Sequence, residues 1–182
     1  MQKEIIIAGF GGQGVLFAGQ LLAYAAMDEG LEVTWYPSYG PEMRGGTANC
    51  TVIISDEEIG SAVIRNPSAA IAMNLPSLDK YEPLVKPGGL LVVDSAMVQQ
   101  AVKRTDIDVV VVPATSIAEE IGNRRMANMV LVGALLANQE ILPLEALKKA
   151  LEEHLPERHR KLLPENFKAL ETGATYEKEI IG

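Results

Sequence analysis

A chain of 182 residues with 48% hydrophobic and 22% charged residues suits one domain and is long enough to bury its own core. The net charge of −8 argues against nonspecific nucleic-acid binding. The single cysteine, Cys50, can neither close an internal disulfide nor hold an iron–sulfur cluster, which takes four ligands.

One thiol also points to a reducing, cytoplasmic compartment. No stretch reaches about 18 uninterrupted apolar residues, so no membrane span is expected. The apolar run in the opening MQKEIIIAGF is too short for a signal segment. Aromatic residues make up only 5%, so the core must come from Ile, Val, Leu, Ala and Met.

Glu4–Ala8 is a β-branched run that reads as a strand buried on both faces. Gly9–Gly14 follows as a turn. Val15–Met27 then places Val15, Ala18, Leu22 and Ala25 on one helical face, with Gly30 as its stop. Glu32–Tyr36 is a second strand, which completes a βαβ unit. Pro37–Gly46 is a loop by composition. Thr47–Ser55 is a third strand, Asp56–Gly60 a turn and Ala69–Met73 a fourth strand. Pro76–Leu84 is a short helix, and Lys86–Gly89 turns into strand Leu90–Asp94. Asp108–Val112 is a further apolar strand.

Thr115–Ala137 is the longest helical stretch. Thr115 or Ser116 is its expected cap, with Glu119 three residues after Ser116. Gly122 and Asn123 are expected to break it. Leu144–His154 is an amphipathic helix, Glu157–Glu171 a helix interrupted near Pro164, and residues 173–182 a tail. Strands alternating with helices predict a single α/β domain over 1–182, Rossmann-like. Its sheet would be mainly parallel and flanked by helices, with a helical C-terminal region. Ligands of such sheets bind at the carboxyl ends of the strands, so the Gly9 loop and the loop after Tyr36 should be neighbours.

Two constellations carry chemistry. In GFGGQG, Gly9, Gly11, Gly12, Gln13 and Gly14 stand between a strand and a helix. Here glycines let the backbone approach a ligand, and free helix N–H groups attract an anion. A dinucleotide site also wants an acid about 20 residues on, at the end of strand two. The residues there are Thr34, Trp35, Tyr36 and Pro37, and Glu32 stands at the wrong end. A nicotinamide site is therefore not expected. The lysine and hydroxyl of a P-loop are missing too. The second constellation, PSYGPEMRGG, carries Ser38, Tyr39, Gly40, Glu42, Arg44 and Gly45. Its Arg44 has the geometry to clamp a phosphate or carboxylate.

The segments GFGGQG at 9–14 and SYGPEMRGGTANCTVII at 38–54 together resemble the gamma subunit of the 2-oxoacid:ferredoxin oxidoreductases. The likeness continues through KPGGLLVVDS at 86–95 and NMVLVG at 128–133. SYGPEMRGG is closer to the 2-oxoglutarate and branched-chain (ketoisovalerate) members than to the pyruvate members. The resemblance implies a holoenzyme that converts a 2-oxoacid and coenzyme A to acyl-CoA and CO2, with electrons passed to ferredoxin. It implies alpha, beta and ferredoxin-like delta subunits as partners. Thiamine diphosphate, Mg and the iron–sulfur clusters then sit on those partners. This chain would hold no cofactor alone, contribute no catalytic residue and be inactive in isolation. Gly9–Gly14 and Ser38–Gly46 would face the alpha subunit, the coenzyme A path, or both.

Two other readings stay open: a free-standing nucleotide-binding oxidoreductase of Rossmann type, and an assembly module without chemistry. Self-association of the isolated chain is also left open. Of the remaining residues, Cys50 reads as core, and Met126 and Met129 as filling core or interface space. Asp94 either orients a bound group or caps the next segment. Asn128, on an apolar helix, needs a partner such as a loop backbone. His154 and His159 read as surface histidines without companion ligands, so no metal site is expected.

Overall fold

A computed structural model describes residues 1–38 and 47–179. It has six strands: β1 Gln2–Phe10, β2 Glu32–Ser38, β3 Thr47–Ser55, β4 Ala69–Ala72, β5 Leu90–Asp94 and β6 Asp108–Val112. Its helices are α1 Val15–Asp28, α2 Leu75–Tyr81, α3 Ala114–Ile121, α4 Ala127–Asn138, α5 Leu144–His154 and α6 Leu163–Gly173. The strands form one sheet in the order β2-β3-β1-β4-β5-β6. β1, β4, β5 and β6 are parallel, as the alternating pattern predicts.

The other edge differs from expectation. β3 runs antiparallel to both β1 and β2 and lies between them. The predicted βαβ unit therefore has its two strands separated by a third. β2 also continues through Pro37 to Ser38, where a loop is expected from composition. Proline is tolerated there because β2 is the edge of the sheet.

Alternation along β1 explains the layering. Ile5 and Ile7 join the larger apolar cluster, with residues of α1, α3, α4, α5 and α6. Ile6 and Ala8 join a smaller cluster on the opposite face, with Leu78 and Tyr81 of α2 and with Val98 and Ile107. Cys50 lies in the larger cluster as expected, fully buried. Its Sγ approaches the Val15 carbonyl at 3.5 Å. Burial pushes its thiol up to about 12, against smaller pulls from the Trp35 indole N–H and the Gly19 backbone. A thiol reagent at neutral pH should therefore label no thiol in the folded chain within minutes and one thiol in denaturant. Rapid native labelling would show that α1 lifts from β3.

Two helix boundaries depart from the sequence reading. The predicted cap at Thr115 or Ser116 does not form, because α3 already begins at Ala114 and has no side-chain cap. The Thr115 hydroxyl instead donates to Asp94 at 2.6 Å. The interruption expected near Pro164 does occur: a 3-10 helix over Glu157–Leu162 gives way to α6 at Leu163, and Pro164 stands in the first turn of α6, where its missing N–H costs nothing. The helix expected at Pro76–Leu84 starts one residue earlier, after Asn74, whose Oδ1 accepts the Ser77 N–H at 2.8 Å. Beyond Tyr81 it tightens into a short 3-10 turn. The break at Gly122 occurs as predicted, with φ +99.

The expected tail is held against the body. Asn138 donates to the Tyr176 carbonyl at 2.7 Å and accepts the Lys178 N–H at 2.8 Å. The Glu179 N–H then bonds Val109 on the outer edge of β6.

Candidate functional site

The glycine loop joins β1 to α1 at the carboxyl edge of the sheet. The expected turn at Gly9–Gly14 is shorter than predicted: β1 continues through Phe10, with Gly9 paired to Ala48, so the turn itself is Gly11–Gly14. Gly9 and Gly14 both answer to packing. A Cβ on Gly9 would lie 2.6 Å from Gln13 Oε1 and 2.8 Å from Met73 Cβ. Gly14 caps α1 at φ +73, and a Cβ there would run into the Asn128 amide. Gly12, at φ +89, has open space around it, and Gly11 is exposed. The loop therefore turns its tip, Gly11–Gly12, outward.

The loop is internally braced. Gln13 Oε1 accepts the Phe10 N–H at 2.6 Å, and its Nε2 donates to the Met73 carbonyl at 3.3 Å. The Gln13 amide is thus engaged within the fold. Asn128 finds the loop-backbone partner it needs: its Nδ2 donates to the Gly14 carbonyl at 3.1 Å, which ties α4 to the start of α1. No side chain caps α1, and its first turn carries no acid. The leading N–H groups of this helix are therefore open to an anion.

Arginines line the hollows beside this helix start. A cleft of about 360 Å³ opens beside Gly12, Gly14 and Phe17, and Arg125, Arg158 and His159 line it. A second hollow of about 280 Å³ lies on the other side of Gly12, between Gln13, Thr115, Arg124 and Arg125. Arg124 is paired with Glu119 at 3.2 Å. Arg125 and Arg158 form no ion pair among the described residues; the Arg158 Nε donates to His159 Nε2 at 3.1 Å, which leaves its two terminal nitrogens for outward contacts. In a chain of net charge −8, Arg125 and Arg158 bring two positive charges to one cleft. The floor of the larger cleft is apolar, with Met126, Leu155 and Leu162. A larger hollow of about 520 Å³ lies by β5 and β6, walled mainly by valines and glutamines. It has no cationic lining. Charge, more than size, marks the glycine edge as the site.

Arg124, Arg125 and Arg158 were not singled out from the sequence. The signal was present as the paired arginines before NMVLVG and as RHRK at 158–161. Of the second constellation, Ser38 is placed at the same edge. It pairs with Asn49, which pairs in turn with Ala8. Ser38 therefore stands two strand spacings, about 10 Å, from β1. Tyr39, Gly40, Glu42, Arg44 and Gly45 lie outside the described residues. Asp94 is buried and fully engaged. It accepts from the Ala96 N–H at 3.1 Å and from both the N–H and the hydroxyl of Thr115. It caps the following segment and binds α3, as one of its two readings had it. His154 does acquire companions, against expectation: Asp28, from the far end of α1, approaches at 2.9 Å.

The family model described as pyruvate ferredoxin/flavodoxin oxidoreductase matches residues 4–176. The ketoisovalerate oxidoreductase subunit VorA of Methanothermobacter marburgensis is 40% identical over 179 residues. The match covers 98% of this chain but only 37% of that protein. The 2-oxoglutarate synthase subunit KorC of the same organism is 42% identical over 163 residues, covering 86% of this chain and 88% of KorC. Among solved structures, the gamma subunit of a keto/oxoacid ferredoxin oxidoreductase from Geobacter sulfurreducens superposes with a TM-score of 0.84 at 31% identity. That match covers 98% of this chain and 99% of the other. A 2-oxoglutarate:ferredoxin oxidoreductase from Magnetococcus marinus, with 2-oxoglutarate, coenzyme A and succinyl-CoA bound, gives 0.84 at 25% identity. It covers 96% of this chain and 30% of that one.

Proposed function

The chain belongs to the pyruvate ferredoxin/flavodoxin oxidoreductase family, and from that premise we propose that it serves as the gamma subunit of a CoA-dependent 2-oxoacid:ferredoxin oxidoreductase. Two similar relatives are named as subunits of a ketoisovalerate oxidoreductase and a 2-oxoglutarate synthase, which supports a 2-oxoacid of one of these kinds as substrate. Chemistry on the oxo group belongs to thiamine diphosphate with Mg, and electron transfer belongs to iron–sulfur clusters. Alpha, beta and ferredoxin-like subunits carry them. With one buried cysteine this chain has no thiolate set for a cluster. Its compartment is the cytoplasm.

The observation that carries the reading is that Arg125 and Arg158 line the same cleft as Gly12 and Gly14, at the uncapped start of α1. Such a donor set fits the phosphates of coenzyme A. Guanidinium forks bind phosphate oxygens in pairs, and helix N–H groups add to the same field. In this role the chain binds and orients the co-substrate, with Gly11–Gly12 giving close backbone approach and Ser38 standing on the adjoining edge. Arg44 and the rest of 39–45 belong to the same proposed surface. The free-standing dinucleotide reading is disfavoured by β3. That strand separates β2 from β1, and the far end of β2 carries no acid to hold a ribose.

Co-expression with candidate alpha and beta subunits tests the proposal. The three chains should co-purify, and the complex should reduce ferredoxin only when both a 2-oxoacid and coenzyme A are present. The isolated chain should show no turnover. Turnover by the chain alone, or failure to join the other subunits, would refute it.

A further inference from the structure

At the opposite end of α1 from the glycine loop, two helices finish side by side. Asp28 is the last residue of α1 and His154 the last of α5. His154 Nε2 lies 2.9 Å from Asp28 Oδ2. The imidazole stacks on Tyr24, with centroids 4.3 Å apart and planes within 10°. The carboxylate of Glu153 completes the group: one ligating atom from each of the three residues lies within 4.8 Å of the other two.

We propose that Asp28, Glu153 and His154 bind a divalent transition-metal ion of the zinc class. The donor set is one imidazole nitrogen and two carboxylate oxygens. Zinc takes such donors at about 2.0–2.2 Å, and three of them leave a fourth position for water. Ligand atoms around one such ion stand roughly 3–4 Å apart, so a small rotation of exposed carboxylates closes the site. An imidazole in the set favours zinc over calcium or magnesium, which prefer all-oxygen shells.

Two further features favour a cation here. Each helix C-terminus carries the equivalent of about half a negative charge, and two of them meet at this point beside two carboxylates. Lys149 pairs with Glu153 at 3.9 Å, and the ion would take the place of that exposed ammonium on the carboxylate. Tyr24 already fixes the plane of the imidazole, so little ordering of the ring opposes binding. The ion would pin α1 to α5. A helix of 14 residues is about 21 Å long, so this site is separate from the glycine edge and independent of the function proposed there.

The test uses the full chain, stripped of metal with a chelator, with Zn2+ alone as the probe. Equilibrium dialysis should find one Zn2+ per chain, and zinc should raise the unfolding midpoint until chelator is added back. His154→Phe keeps a ring against Tyr24 but deletes the donor nitrogen. It should weaken zinc binding by more than about tenfold, since removing even an outer partner of a metal ligand costs that much. Asp28→Asn should act in the same direction. Glu152→Gln, on the same helix but outside the group, should bind as wild type. Cys50 does not compete, because its thiol is buried and protonated. Unchanged zinc affinity in His154→Phe would overturn the proposal. So would equal losses in Glu152→Gln, or Mg2+ binding as tightly as Zn2+.

Discussion

Replacing Gly133 or Gly173 with alanine should destabilise the fold by about 3 kcal/mol or more, among the largest effects of any single methyl group in this chain. The reason is where these glycines stand. α4 and α6 pack so closely that each glycine meets the other helix's backbone. A Cβ on Gly133 would overlap the Leu170 carbonyl, with the carbonyl carbon 2.9 Å away. One on Gly173 would overlap the Val130 carbonyl, with its carbon 2.7 Å away. Backbone cannot rotate aside as a side chain can, so the helices would have to separate. That would open the core around Val130 and Leu170, both fully buried. Alanine's better helix propensity returns only about 1 kcal/mol.

For a chain of this size, a loss of about 3 kcal/mol lowers the midpoint by roughly 6–12 °C in thermal unfolding. Gly60→Ala is the control, since it has no neighbour within 4 Å and needs no left-handed backbone. It should leave the midpoint nearly unchanged. The two glycine substitutions loosen the same contact, so their combination should cost less than the sum. A midpoint that stays level in Gly133→Ala would mean that α4 and α6 can part without loss.

What could be read from the amino acids was local. The β-branched runs EIIIA and VVVV specify strands wherever they are placed, and Gly122 must end a helix because its left-handed φ suits no other residue so well. Asn128 signalled its need for a partner by being polar on an apolar helix. The unread features are those made by the path of the chain. Nothing local to Thr47–Ser55 says that it inserts between β1 and β2, since alternation looks alike in parallel and antiparallel half-buried strands. The cleft arginines stand well over a hundred residues from Gly12, and Asp28 is 126 residues from His154. Such pairs are products of helix packing and leave no spacing to detect. The glycine pattern itself was legible, but its meaning was not. Gly9 and Gly14 match a ligand-binding fingerprint, yet each is required by a neighbouring side chain.

In the assembled complex, Arg125→Ala and Arg158→Ala should each raise the apparent KM for coenzyme A by about 10- to 100-fold. A hydrogen-bonded contact to a charged group contributes roughly 1.5–3 kcal/mol, and each 1.4 kcal/mol is tenfold. The KM for the 2-oxoacid should not move, and kcat at saturating coenzyme A should be retained, because neither arginine meets the oxo group in this reading. Arg125→Lys separates charge from geometry. Lysine keeps the positive field but loses the fork that grips two oxygens, so its effect should be intermediate. Rising salt should weaken coenzyme A binding in the wild type more steeply than in either alanine variant, since the variants have less charge to screen. Steady-state kinetics with coenzyme A varied at fixed 2-oxoacid reads all of these. An unaltered KM in an intact complex would remove coenzyme A from this cleft. Loss of assembly, with normal coenzyme A affinity in whatever complex remains, would instead make the arginines a subunit contact, and the glycine loop would then be the place where another chain's backbone comes closest.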